Sequence, residues 1–214
     1  MSEEIEIKAN LPKDLPERLR RQLEFALAID QEKNVLRQTH LTGHGRREDD
    51  AEHAWHMAVM AAVLAEYSDE KINKGHTILL CLIHDLVEIY AGDTYAYDEE
   101  GKKSQKSREE AAKERLFSIL PEDQKSFFSD LFEEFEEAKT PEARFARAMD
   151  NLQPLLLNNS NDGGDWKEHC VSVDQVEGRQ KRTREASQTL YRLTEEILKE
   201  NVKKGSLRGS EEDR

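Results

Sequence analysis

Cysteine, proline, glycine and long apolar runs are all scarce in this 214-residue chain, and each scarcity narrows what it can be. Its two cysteines, Cys81 in an apolar run and Cys170 in a polar stretch, form no disulfide framework and fit a reducing cytoplasm. No apolar stretch approaches the ~18–20 residues that span a bilayer, and the opening MSEEIEIKANLPKD lacks the basic-then-apolar pattern of a secretory signal. No membrane partner is therefore expected. Positive charge is short as well: 32 Lys and Arg stand against 45 Asp and Glu, a formal net charge of −13. That deficit argues against general nucleic-acid binding, which needs a basic face to displace counterions, but it allows a small phosphate ester in a locally basic pocket.

Charged and hydrophobic residues each make up 36% of the chain, and only 5 prolines and 10 glycines interrupt them, a balance that suits amphipathic helices. The length fits one all-α domain, expected over 15–203, with a flexible arm at 1–14 and a disordered tail at 204–214. Apolar residues at helical spacing predict helices near 15–30, 49–67, 76–91, 107–120, 122–138, 141–157 and 173–203. The acidic start EDDAE suits a helix N-terminus, Thr140 and Pro141 suit the cap and first turn of another, and Gly92 suits a stop. The polar stretch from Arg37 to Arg47 and the segment NNSNDGGDW read as loops. Residues 94–107 read as a solvated connection, with a lid as the alternative.

The helix expected over 76–91 is apolar all round apart from His84, Asp85 and Glu88. An unpaired buried carboxylate is strongly disfavoured, so these three residues need compensation, from a divalent cation or from Arg or Lys partners. His53 near the start of the second helix and Asp150 in ARAMDNLQPLLL would be unremarkable alone. With His84 and Asp85 they supply two imidazoles and two carboxylates from three helices, a donor set for one divalent metal. Four such ligands leave positions open on an octahedral ion, which favours Mn²⁺, Co²⁺, Fe²⁺ or Mg²⁺ over a closed tetrahedral Zn²⁺. Pro154 has no amide hydrogen for the carbonyl of Asp150, so a local kink is expected beside that ligand. His40, His44, His56, His76 and His169 are read as structural.

The order His53, then His84–Asp85, then Asp150 resembles the H…HD…D signature of the HD-domain phosphohydrolases. The segments AEHAWHMA, LIHDLVEIYAGDT and ARFARAMDNLQPLLL resemble the branch that contains bacterial 5′-deoxynucleotidases. The resemblance implies a single HD-domain helical bundle, a metal-dependent hydrolase that releases phosphate from (deoxy)nucleoside 5′-monophosphates, and a homodimer. Phosphodiesterase, nucleoside triphosphate hydrolase and a non-catalytic nucleotide- or metal-binding module are the alternatives. Glu88, four residues after His84, takes a general acid/base role, with the orienting of a ligand as the alternative. Asp93 matches the branch's GD position, where the acid meets the sugar or assists the chemistry. Arg37 falls near the position of a phosphate-contacting arginine, with Arg46 and Arg47 as rivals. Gln38 stands where that branch tends to carry an aromatic side chain.

Overall fold

The structure is a computed structural model in which residues 10–210 are described. Helix α1 (Glu17–Ala28) runs into a 3-10 turn, Ile29–Asn34. A short antiparallel hairpin follows, β1 (Leu36–His40) and β2 (Arg47–Asp49), in the stretch expected to be a plain loop. The hairpin turn holds Gly43 and His44, both at positive φ, and the Leu41 amide closes onto the Arg46 carbonyl at 2.9 Å. Turn residues in this stretch were legible in the sequence, but strands this short carry too little alternation to be read from it.

Helix α2 (Asp50–Leu64) begins with a capping box: the Asp49 side chain accepts from the Glu52 amide, and the Glu52 side chain accepts from the Asp49 amide. Asn73 caps α3 (Lys74–Ile83). The helix expected to continue to residue 91 instead breaks at His84. The amides of Leu86 and Glu88 turn back onto the carbonyls of Ile83 and Asp85, one residue short of α-helical spacing, before α4 (Glu88–Ala91) resumes. Gly92, at φ 74°, ends that helix as expected.

Helix α5 (Glu99–Phe117) starts well before the expected residue 107 because Asp98 caps it. The remaining connection is short, and Arg108 ties it down by donating to the Ala91 carbonyl and to Thr94 Oγ1. Helix α6 (Glu122–Glu137) follows, and then α7 (Pro141–Ser160), which carries on beyond Pro154. The NNSNDGGDW segment is not one loop: α7 takes its first residues and α8 (Gly164–Glu168) its last. The single helix expected over 173–203 divides at Ser187, whose extended backbone separates α9 (Val173–Ala186) from α10 (Gln188–Lys203) and whose side chain caps the latter.

Helix α7 is the axis of the molecule, packed by α2, α3, α6 and α9. Phe145, Ala146, Ala148, Met149 and Leu152 along it are completely buried, and Met57, Leu80, Leu116 and Phe117, from α2, α3 and α5, belong to the same core. Each large apolar side chain so enclosed contributes roughly 1.5–3 kcal/mol relative to exposure. No helix among the described residues is long and apolar enough to cross a membrane.

The tail expected to be disordered is partly built in: Ser206 and Leu207 are buried, and Arg208 pairs with Ser172 through a backbone bridge. Residues 1–9 of the expected arm and 211–214 of the expected tail lie outside the described residues. Ser206 packs on Gly163, which has a φ of 67° and where an added Cβ would lie 2.6 Å from Ser206 Cβ. Gly163→Ala should therefore lower stability by at least ~1–2 kcal/mol in urea unfolding. Gly178→Ala, in α9 with open space around it, should raise it by ~0.5–1 kcal/mol. Equal effects from the two would contradict this packing.

Candidate metal centre

Three elements bring the two imidazoles and a carboxylate together. His53 projects from the first turns of α2, His84 stands at the break after α3, and Asp150 lies in the middle of α7; each is at least nine-tenths buried. Their donor atoms lie within 4.8 Å of one another. His53 Nδ1 meets the Gln153 side-chain carbonyl at 3.0 Å, and Gln153 in turn donates to Glu48 at 2.8 Å. His84 Nδ1 donates to the Cys81 carbonyl at 2.8 Å. With Nδ1 of each ring facing an acceptor, the proton sits there and Nε2 carries the lone pair.

Both Nε2 atoms are buried and make no hydrogen bond among the described residues. His53 Nε2 is 3.4 Å from Asp150 Oδ1 and His84 Nε2 is 4.0 Å from it. Burial, with the Arg37 charge added, pushes His53 down to about 4, so its imidazole stays neutral. Burial opposes protonation of His84 too, but Asp85 and Asp150 outweigh it and raise that group. Two bare imidazole nitrogens and a carboxylate oxygen facing one point are the donor chemistry of a divalent transition metal, so the residues fit such an ion.

Asp85, expected as the fourth ligand, stands between two groups. Its Oδ2 is 2.9 Å from His84 Nε2 and 3.9 Å from His53 Nε2, yet the same oxygen accepts from Arg37 at 2.8 Å. Its carboxylate clusters with those of Asp50 and Glu88, also within 4.8 Å of one another. Burial alone would raise Asp85, but His84 and Arg37 hold it well below the usual carboxylate range. Asp150 is held low by His53, Arg179 and His84 against the same burial. The other acids go the opposite way. Burial, reinforced by neighbouring carboxylates, raises Glu88 far above its ordinary value, Asp50 to about 7 and Glu32 to about 8. Two ionised carboxylates thus face the imidazoles, backed by acids that keep their protons near neutrality.

Arg37, on β1, reaches the site as expected, but carboxylates occupy its guanidinium: Asp85, Asp50 at 3.1 Å and Glu48 at 3.5 Å. Arg46, the other expected substrate contact, does not reach it. It pairs with Glu52 on the exposed side of the hairpin, where it supports the α2 capping box. Asp93 lines the cavity beyond the imidazoles, a space of about 620 Å³ also bounded by His84, Asp85, Glu88, Tyr95, Arg147, Asp150 and Arg179. Burial raises the Asp93 carboxyl.

Of the remaining histidines, His40 pairs with Asp165 at 2.6 Å, His76 with Glu134 at 2.8 Å, and His44 lies 3.7 Å from Asp162. His56 touches Gln153, and His169 stacks on Tyr95. Sequence reasoning missed Glu32, Glu48, Asp50, Gln153, Arg147 and Arg179. Glu48 and Asp50 were hidden in an acidic stretch that equally suits a helix start. Gln153 sits one turn from Asp150, a spacing that signalled a shared face.

A family model described as HD domain matches residues 29–191. The chain belongs to the HD domain family. Within this HD domain the ordered His53, His84–Asp85 and Asp150 are the residues just described, and membership implies a divalent metal. The solved structure of a predicted metal-dependent phosphohydrolase from Magnetospirillum magnetotacticum MS-1 is 45% identical with a TM-score of 0.85, covering 89% of this chain and 96% of that one. The human 5′-deoxynucleotidase HDDC2 is 33% identical over 135 residues, which are 63% of this chain and 65% of that protein. Its Xenopus laevis counterpart is 38% identical over 109 residues, 51% and 53% of the two chains. The HD domain thus spans less than two thirds of the length of these curated relatives.

Glu32 gives a pH-dependent test of the buried acids. Held near 8 when folded against 4.5 when unfolded, it keeps its proton longer in the native state, so its contribution to stability falls as pH rises from about 4.5 to about 8. In metal-free protein, Glu32→Gln should gain on the parent by on the order of 2–4 kcal/mol between pH 5 and pH 8 in urea unfolding. A difference that does not change with pH would contradict that placement.

Proposed function

We propose that this HD domain is a metal-dependent phosphomonoesterase that releases phosphate from nucleoside or deoxynucleoside 5′-monophosphates. The observation that carries the reading is the pair of buried Nε2 atoms, free of hydrogen bonds among the described residues and facing Asp150, which with His84 lines a polar cavity. The 5′-deoxynucleotidase relatives supply the substrate class. The ligands are His53, His84 and Asp150, with Asp85 as the fourth, and the open positions this set leaves favour Mn²⁺, Co²⁺, Fe²⁺ or Mg²⁺ over Zn²⁺. When bound, the ion would supply Lewis acidity that lowers the pKa of a water and offsets charge on phosphorus.

The chain's own side chains do the rest. Asp85 and Asp150 stay ionised toward the ligand set, because His84 and Arg37 hold the first and His53 and Arg179 the second. Burial and the neighbouring Asp85 raise the Glu88 carboxyl, which favours its protonated form at the cavity wall, where a leaving alkoxide oxygen can take the proton. Asp93 also lines the cavity, and its partner in this reading is a sugar hydroxyl of the substrate. The free, buried Cys81 and the unpaired Cys170 accord with work in a reducing cytoplasm. A homodimer is the assembly implied by the family resemblance.

Phosphate release from a panel of nucleoside 5′-monophosphates, using stripped protein given Mn²⁺, Co²⁺, Mg²⁺ or Zn²⁺ in turn, tests the activity. Release that depends on added metal is expected. Release of pyrophosphate from triphosphates, or no release with any ion, would overturn it in favour of a triphosphatase or a binding module. Asp150→Asn and His53→Ala should lose metal and turnover together. Glu88→Gln should keep its metal while turnover falls ~10²–10⁴-fold, and turnover within a few-fold of the parent would remove Glu88 from the chemistry.

A further inference from the structure

We infer that the substrate's phosphate is gripped by Arg179 and Arg147, from α9 and α7, and that Arg37 serves instead as the counter-ion of the buried acids; the assignment rests on the phosphomonoesterase reading. Asp150 faces two ways. Its Oδ1 is turned to the imidazoles, and its Oδ2 is approached by Arg179 Nη2 at 3.7 Å and by Arg147 Nη1 at 3.9 Å. Both approaches are too long for hydrogen bonds, so the two guanidinium edges stand beside the ligand group with N–H donors unspent.

Each arginine is held from behind rather than by Asp150. Arg179 donates through Nε to Asn151 Oδ1 at 3.1 Å, and among the described residues its terminal nitrogens donate to nothing. Arg147 stacks its guanidinium on the Phe135 ring, 4.3 Å from the centroid, donates through Nε to the Phe135 carbonyl and through Nη2 to Glu136. Both line the cavity next to His84, Asp85 and Asp150. Arg179, fixed at Nε with its outer edge open, has the geometry in which arginine takes phosphate oxygens two at a time, and Arg147, whose Nη2 is held by Glu136, adds Nη1 beside it.

Arg37 lacks that freedom. Three carboxyl groups within 3.5 Å already surround its guanidinium, and an incoming phosphate would have to displace them. The surroundings therefore differ on the two sides of the imidazoles: Arg37 lies in an acid-rich wall, whereas among the described residues Arg179 has only Asp150 as a carboxylate neighbour within 4 Å. Two such cations with a divalent ion suit the dianionic terminal phosphate of a monoester better than the single charge of a diester.

Calorimetric titration of metal-loaded protein with inorganic phosphate, together with metal content and steady-state kinetics, tests this in Arg179→Gln, Arg147→Gln and Arg46→Ala. Losing hydrogen bonds to a charged group predicts ~10- to 100-fold weaker phosphate binding in each of the first two, a matching rise in KM and retained metal. Arg46→Ala should match the parent in all three. Unchanged phosphate affinity in both glutamine variants would overturn the assignment, and so would loss of phosphate binding that merely follows loss of metal. Because the titration needs no turnover, it tests the clamp even if the parent hydrolyses no monophosphate, the result that would fail the functional reading instead.

Discussion

Burying ionisable groups is expensive unless each finds a partner, and this molecule encloses a row of them at the meeting point of α2, α3, β1 and α7. Arg37 compensates Glu48, Asp50 and Asp85 together, while Glu32 and Glu88 are relieved by keeping their protons. What no side chain among the described residues hydrogen-bonds is the pair of imidazole Nε2 atoms, since Gln153 and the Cys81 carbonyl hold the opposite edges of the rings. A divalent ion would close that gap by taking the two imidazole nitrogens and offsetting the negative charge of Asp150.

Much of the architecture serves this arrangement. The capping box at Asp49 and Glu52 sets the start of α2, placing His53 one turn inside it. The tightened turn after α3 points His84 at the ligand group while Asp85 and Glu88 turn toward Asp50. Running through the core, α7 carries Asp150 on the face that meets both imidazoles and carries Gln153 one turn later to orient His53. The packing of α9 on α7 adds Arg179 to the other side of Asp150, so that one carboxylate joins the imidazole group to the basic wall of the cavity.

Legibility followed the length scale of each signal. His84–Asp85 was readable because an apolar helix interrupted only by His and acids is anomalous, and His53 and Asp150, unremarkable alone, because they complete a donor set in the order of the H…HD…D signature. The break at His84 was not, because three-residue and four-residue hydrogen bonds demand the same apolar pattern over a single turn. The division at Ser187 was missed for a similar reason: a serine that caps a new helix looks like any polar residue on the exposed face of a continuous one. Arg46 rivals Arg37 in the sequence as a guanidinium that could clamp phosphate, and the hairpin turns it outward to Glu52. Arg147 and Arg179 come to Asp150 by an i,i+3 helical step and by the docking of a distant helix, and neither step marks an arginine as different from its solvated neighbours.

The central claim is that the metal sits on two Nε2 atoms that the fold leaves without a hydrogen bond. Anomalous diffraction at the manganese edge, on crystals of stripped protein reloaded with Mn²⁺, tests it directly. The account predicts one strong peak within coordination distance of His53 Nε2, His84 Nε2 and an Asp150 oxygen, with both Nδ1 atoms still bonded to Gln153 and Cys81. A peak held only by Asp50, Asp85 and Glu88, with the imidazoles left free, would contradict it.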